Sequence, residues 1–145
     1  MKKKVLPPFY QKYTASEQSL ISACKNHFVP LKATGSPIIP FAFLVDSQDA
    51  IIKINPGVLQ ENTDQSYIEQ FKAHGLEQIN TGLAKCFAVC YDAHVFDADE
   101  IDQDALVLML QMEAGSTIQI NVPYVQSNEK MVFGEAWVYV TNSLF

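Results

Sequence analysis

At 145 residues the chain has room for one domain, and a chain of this length buries about two thirds of the surface it would expose unfolded, so its core needs no staples. With 48% apolar and 18% charged residues it excludes the disordered class. A net charge of −6 excludes a general nucleic-acid binder, which needs a basic face to displace counterions.

The opening MKKKVLPPFYQKY carries lysines like the first segment of a signal peptide, but its apolar stretch is two residues long before Pro7-Pro8. Without an h-region, no secretion is expected. No run reaches the ~18 apolar residues of a membrane helix, so no membrane partner is expected either. Residues 1–13 read as an irregular arm, and 14–145 as a single domain. Three cysteines, Cys24, Cys86 and Cys90, form an odd, sparse set that fits buried reduced thiols and a cytoplasmic location.

TASE (Thr14–Glu17) is a capping-box sequence that opens a first helix, with Leu20, Ile21, Ala23, Cys24 and Phe28 as its apolar stripe and Pro30 as its end. A breaker-rich connector, LKATGSPIIP, follows. PFAFLVD (Pro40–Asp46) and AIIKIN (Ala50–Asn55), joined at Asp46–Asp49, read as a hairpin. Asp64 or Thr63 caps a second helix, Gln65–Ile79, with Tyr67, Ile68, Phe71, Leu76 and Ile79 on one side. Gly75 costs that helix about 1 kcal/mol relative to Ala.

Leu83–Phe96 is a long strand, apolar on both faces as far as Cys90, and so covered on both sides. Ala105–Met112 sends Leu106, Leu108, Leu110 and Met112 to one face. Thr117–Val122 does the same with Ile118, Ile120 and Val122, and Met131–Val140 closes an antiparallel meander. The fold class is α+β: a single, mostly antiparallel sheet of about six strands with two helices on one face, in the order α-β-β-α-β-β-β-β.

The succession of PFAFLVD, a helix, a strand carrying CYDAHV, then DALVLMLQMEAG, INVPY and VFGEAWV resembles a family of small uncharacterised bacterial proteins. The residues that carry the resemblance are Pro40-Phe41-Ala42, Asp104-Ala105, Gly115, Pro123-Tyr124 and Phe133-Gly134-Glu135, over residues 40–145. The chain departs from the pattern after Gly115, where it is unusually uncharged. The resemblance implies a bacterial cytosolic domain with no established activity, and it transfers no catalytic residue.

The densest polar stretch is Asp92–Asp104, which holds six of the sixteen acids. As a cation site it would use Asp92 and His94, which share a strand face. As an EF-hand loop it fails, because Ile101 stands where an oxygen ligand belongs and Asp102 where glycine is needed. Its plain reading is a solvated link at the sheet rim. A zinc set could draw on Cys24, His27, Cys86 and Cys90, but an extended Cys86–Cys90 run lacks the knuckle spacing. A thiol nucleophile served by His94 and Asp92 would need a thiolate stabilised by a cation or helix N-terminus, which none of the cysteines has.

Glu135, between Phe133 and Trp137 at i±2, could be an acid or base with a raised pKa, with Tyr124 or Lys53 as partner. Trp137, Tyr139, Tyr124 and Phe133 gather near the last strand. If that strand is an edge, they predict a homodimer or protein partner there; otherwise they fill the domain's own core.

No pattern amounts to a catalytic signature, and no cofactor is implied. The leading expectation is a non-enzymatic protein-interaction or regulatory domain. The alternatives are a small-ligand-binding domain with a pocket between sheet and helices, and a hydrolase or divalent-metal enzyme.

Overall fold

The computed structural model describes residues 4–6, 12–57, 61–96, 99, 101–127 and 130–140. Among them run β1 (Lys4–Leu6), α1 (Ala15–Ala33), β2 (Phe41–Asp46), β3 (Ile51–Ile54), α2 (Asp64–Asn80), β4 (Ala84–Phe96), β5 (Asp102–Gln111), β6 (Thr117–Ser127), β7 (Lys130–Phe133) and β8 (Trp137–Val140). Every pairing is antiparallel, in the order β1-β8-β6-β5-β4-β2-β3, with β7 beside β6. The class is α+β, and the predicted element order holds when β7 and β8 count as the one final strand. Lys4–Leu6 pairs with β8, so that part of the arm is sheet rather than irregular. Pro7-Pro8, Phe9 and Tyr10 lie outside the described residues.

Both helix starts follow their sequence signals. The Thr14 side chain accepts from the Glu17 amide at 3.1 Å, and Glu17 Oε1 accepts from the Thr14 amide at 2.8 Å. Glu17 Oε2 also accepts from the amide of Glu113 at 2.8 Å, so this carboxylate, only 1% exposed, is bonded at both oxygens and ties α1 to the β5–β6 turn. Thr63 caps α2 through the Ser66 amide. Pro30 lies inside α1 rather than ending it. A proline three residues from a helix end forfeits one backbone bond, and Lys32, in the turn beyond it, is held by Asp92.

The helices cover opposite faces of the sheet, which corrects the expectation of both on one. Leu20, Cys24 and Phe28 of α1 pack on Cys86, Ala88 and Cys90 of β4, on Leu106, Leu108 and Leu110 of β5, and on Ile118, Ile120 and Val122 of β6. Phe71 of α2 packs on Ala42 and Leu44 of β2, Ile54 of β3, Phe87 and Val89 of β4, and Met109 of β5. Successive strand residues point to opposite faces, so β2 and β4, apolar at odd and even positions alike, need a cover on each side. Burying each large aliphatic or aromatic side chain contributes about 1.5–3 kcal/mol.

The final strand is interrupted. Tyr124 faces Phe133 and Asn121 faces Trp137, so Val122 and Pro123 stand opposite Gly134, Glu135 and Ala136. One extra residue makes a bulge. The Gly134 amide donates to the Pro123 carbonyl at 2.8 Å. The sheet also curls. Tyr139 Oη of β8 donates to the Phe96 carbonyl of β4 at 3.0 Å, although three strand spacings, about 14 Å, would separate those strands in a flat sheet.

Gly75 faces the ring of Phe87, and a Cβ there would sit 2.6 Å from ring carbons. Close approach of α2 to β4 therefore explains this mid-helix glycine. Gly75→Ala, which on helix propensity alone stabilises by about 1 kcal/mol, is expected here to destabilise by about 1–3 kcal/mol through overpacking. Urea denaturation measures this, and a raised midpoint would contradict the contact.

Candidate functional site

An apolar concavity that combines both helices lies at the sheet rim, where β2 begins and β3 ends. Helical spacing that turns Leu20, Cys24 and Phe28 inward sets His27 and Leu31 on the flank of α1. The α1 end is closed by Thr34, whose amide and hydroxyl both donate to the Leu31 carbonyl, at 3.2 and 2.7 Å. Pro37 and Pro40 keep the following link extended up to Phe41. From the other side come Lys53, Ile54 and Pro56, and then Tyr67 and Phe71 of α2. The cavity measures about 360 Å³.

Its wall is mainly aromatic and aliphatic. The His27 ring meets Phe41 edge-on at 4.7 Å and Phe43 at 5.3 Å, and Tyr67 stacks on Phe71 at 6.3 Å. The polar groups are His27, Lys53, Thr34, Ser36 and Tyr67. Partial burial, and then the Lys53 ammonium, lower the His27 pKa from its usual 6.5, so the ring is neutral at pH 7. Among the described residues none that lines the cavity is acidic.

The residues singled out in the sequence fall into two other places. Asp92 and Tyr124 come together with Lys32, which sequence reasoning missed. Lys32 Nζ donates to Asp92 Oδ2 at 2.8 Å, and Tyr124 Oη donates to Asp92 Oδ1 at 2.6 Å. Burial, and then Asp92, push the Tyr124 phenol up to about 12, while its bond to Asp92 raises the Lys32 pKa. Phe28 packs on Tyr124 at 5.3 Å and on Phe133 at 6.5 Å, with Lys25 Nζ 5.1 Å over the Phe133 ring. This cluster fastens the end of α1 to the sheet.

Glu135 and Trp137 do meet Tyr124, in a second concavity of about 290 Å³ with Gln103, Pro123 and Val125. Glu135, however, is exposed in the bulge rather than set among aromatics within a strand. Trp137 is 9% exposed, and its indole nitrogen is buried without a partner among the described residues. Tyr139 is engaged with Phe96. Both edges of β8 are taken, by β1 and β6, so the Trp137–Val140 part of the last strand is not an edge.

Asp92 and His94 share a face but are drawn apart, Asp92 to Lys32 and His94 Nδ1 to Asp104 at 2.8 Å. Among the described residues no group of three His, Cys, Asp or Glu is placed to hold a metal ion. Cys24, Cys86 and Cys90 converge in the core beneath α1, while His27 lines the rim cavity. Burial pushes the Cys86 thiol up to about 12, and burial followed by the hydrogen bond with Cys24 raises that of Cys90, so neither is a thiolate at neutral pH.

No family model, curated protein or solved structure matches this chain. No helix among the described residues is long and apolar enough to cross a membrane.

The lowered His27 pKa has a definite sign. The unfolded chain takes up this proton near pH 6.5, whereas the folded chain resists it to lower pH, so His27 contributes a loss of stability as pH falls below about 6.5. An NMR titration of the His27 ring is expected to give a midpoint below 6.5, and a midpoint at or above that value would contradict the burial described.

Proposed function

We propose that the protein is a small-ligand-binding domain whose ligand lies in the rim cavity between α1, the 34–40 link, the end of β3 and α2. The observation that carries this reading is the cavity's make-up: about 360 Å³, walled by Leu31, Ile38, Phe41, Ile54 and Phe71, with a few polar groups converging on it. That is the size and chemistry of small-molecule sites. Phe41 and Phe71 belong to cores on opposite faces of the sheet, so the walls are set by the packing of both helices. A location in the cytosol accords with three buried free thiols.

The protein-interaction reading draws support from a different surface. Val125 and Val132, paired across β6 and β7, are 68% and 59% exposed. They make a small patch, so binding at the cavity is the reading preferred here.

At about 30 Å³ per water-sized volume, the cavity accepts about a dozen non-hydrogen atoms. Decanol is a suitable probe. At about ten times its Kd it should add about 1.4 kcal/mol and raise Tm by about 3–6 °C. Ser36→Trp, which fills the cavity from an exposed link position, should abolish the shift while leaving the unliganded Tm nearly unchanged. An equal shift in both proteins would place binding elsewhere and overturn the assignment.

A further inference from the structure

We infer that the ligand of the rim cavity is a monocarboxylate with an apolar body of about ten carbons, its carboxylate set against Lys53. This rests on the ligand-binding reading and names the head group that reading leaves open. The first observation is charge distribution. The chain carries sixteen acidic and ten basic residues, yet among the described residues the cavity wall holds a lysine, a histidine and no acid. In a protein of net charge −6, this is a local patch of opposite sign.

The second observation is that Lys53 is uncommitted. Among the described residues no carboxylate lies within 4.0 Å of its ammonium, whereas Lys32 and Lys85 each hold an aspartate. Lys53 faces Phe43 across the β2–β3 ladder, so it stands on the same side of the sheet as the His27–Phe43 contact. The neutral His27 ring can offer one N–H to an oxygen.

The carbonyl oxygens at the end of α1 would repel an anion, but that of Leu31 accepts from Thr34 and that of Lys32 from Gly35. Lys53 is the one cation among the described lining residues, which suits a single negative charge better than a phosphate dianion. The aromatic remainder of the cavity, from Phe41 to Phe71, takes the apolar body.

The test compares decanoate, decanol and decylammonium, each below its micellar concentration, by calorimetric titration at low ionic strength. Decanoate should bind about five- to tenfold more tightly than decanol, the range of a partly desolvated ion pair, and decylammonium more weakly than either. Added salt should weaken decanoate alone. Lys53→Gln, at an exposed position of an edge strand, should bring decanoate down to the affinity of decanol and leave decanol unchanged. Equal affinities of decanoate and decanol, or tightest binding by decylammonium, would overturn the carboxylate assignment and leave the cavity reading standing. Failure of all three to bind would overturn both.

Discussion

β4 is the constraint on which the rest depends. Its residues alternate between two cores: Cys86, Ala88 and Cys90 toward α1, Phe87 and Val89 toward α2. A strand apolar on both sides cannot leave either face to water without losing a large part of the burial that stabilises the fold. It therefore calls for a helix on each face, and the chain supplies α1 before the β2–β3 hairpin and α2 after it. The glycine at 75 lets the second helix come down on Phe87.

A cavity at the rim follows from that arrangement. The chain leaves α1 on one face and enters β2 through an extended, proline-marked link, and then reaches α2 on the other face by way of β3. Where link, strand ends and both helices meet, neither helix covers the opening. Residues from both cores, Phe41 from one and Phe71 from the other, line a single space. The same topology accounts for the charge there, because Lys53 sits on an edge strand, and among the described residues no carboxylate lies within 4.0 Å of it.

Much of the fold was legible because the signals were local and periodic. The Thr14–Glu17 box, the Thr63 cap and the alternation of Leu106, Leu108 and Leu110 all stand where their patterns put them. The two-sided apolar run of β4 was legible as well. Its consequence, a helix on each face, was not drawn because helix order alone does not say which face a helix takes. Pro30 misled because α1 runs on past it to Ala33, with Lys32 held there by Asp92. The bulge at Gly134–Ala136 was hidden by a run that alternates acceptably as one strand. Pro123 was the available clue, since a proline within a strand marks a bulge or an edge.

The rim cavity was expected only as a pocket between sheet and helices, with none of its residues named. It draws on positions from 27 to 71 that share no motif and meet only after packing. Lys32 escaped notice for the same reason, lying 60 residues from Asp92 in the chain. The most direct measurement is a ¹H–¹⁵N correlation titration with a ten-carbon amphiphile such as decanoate. Opposite-face helices sharing one rim cavity predict that His27 and Leu31 of α1, Lys53 of β3, and Tyr67 and Phe71 of α2 shift together along one binding curve. Shifts confined to one helix, or gathered around Glu135 and Trp137, would contradict it.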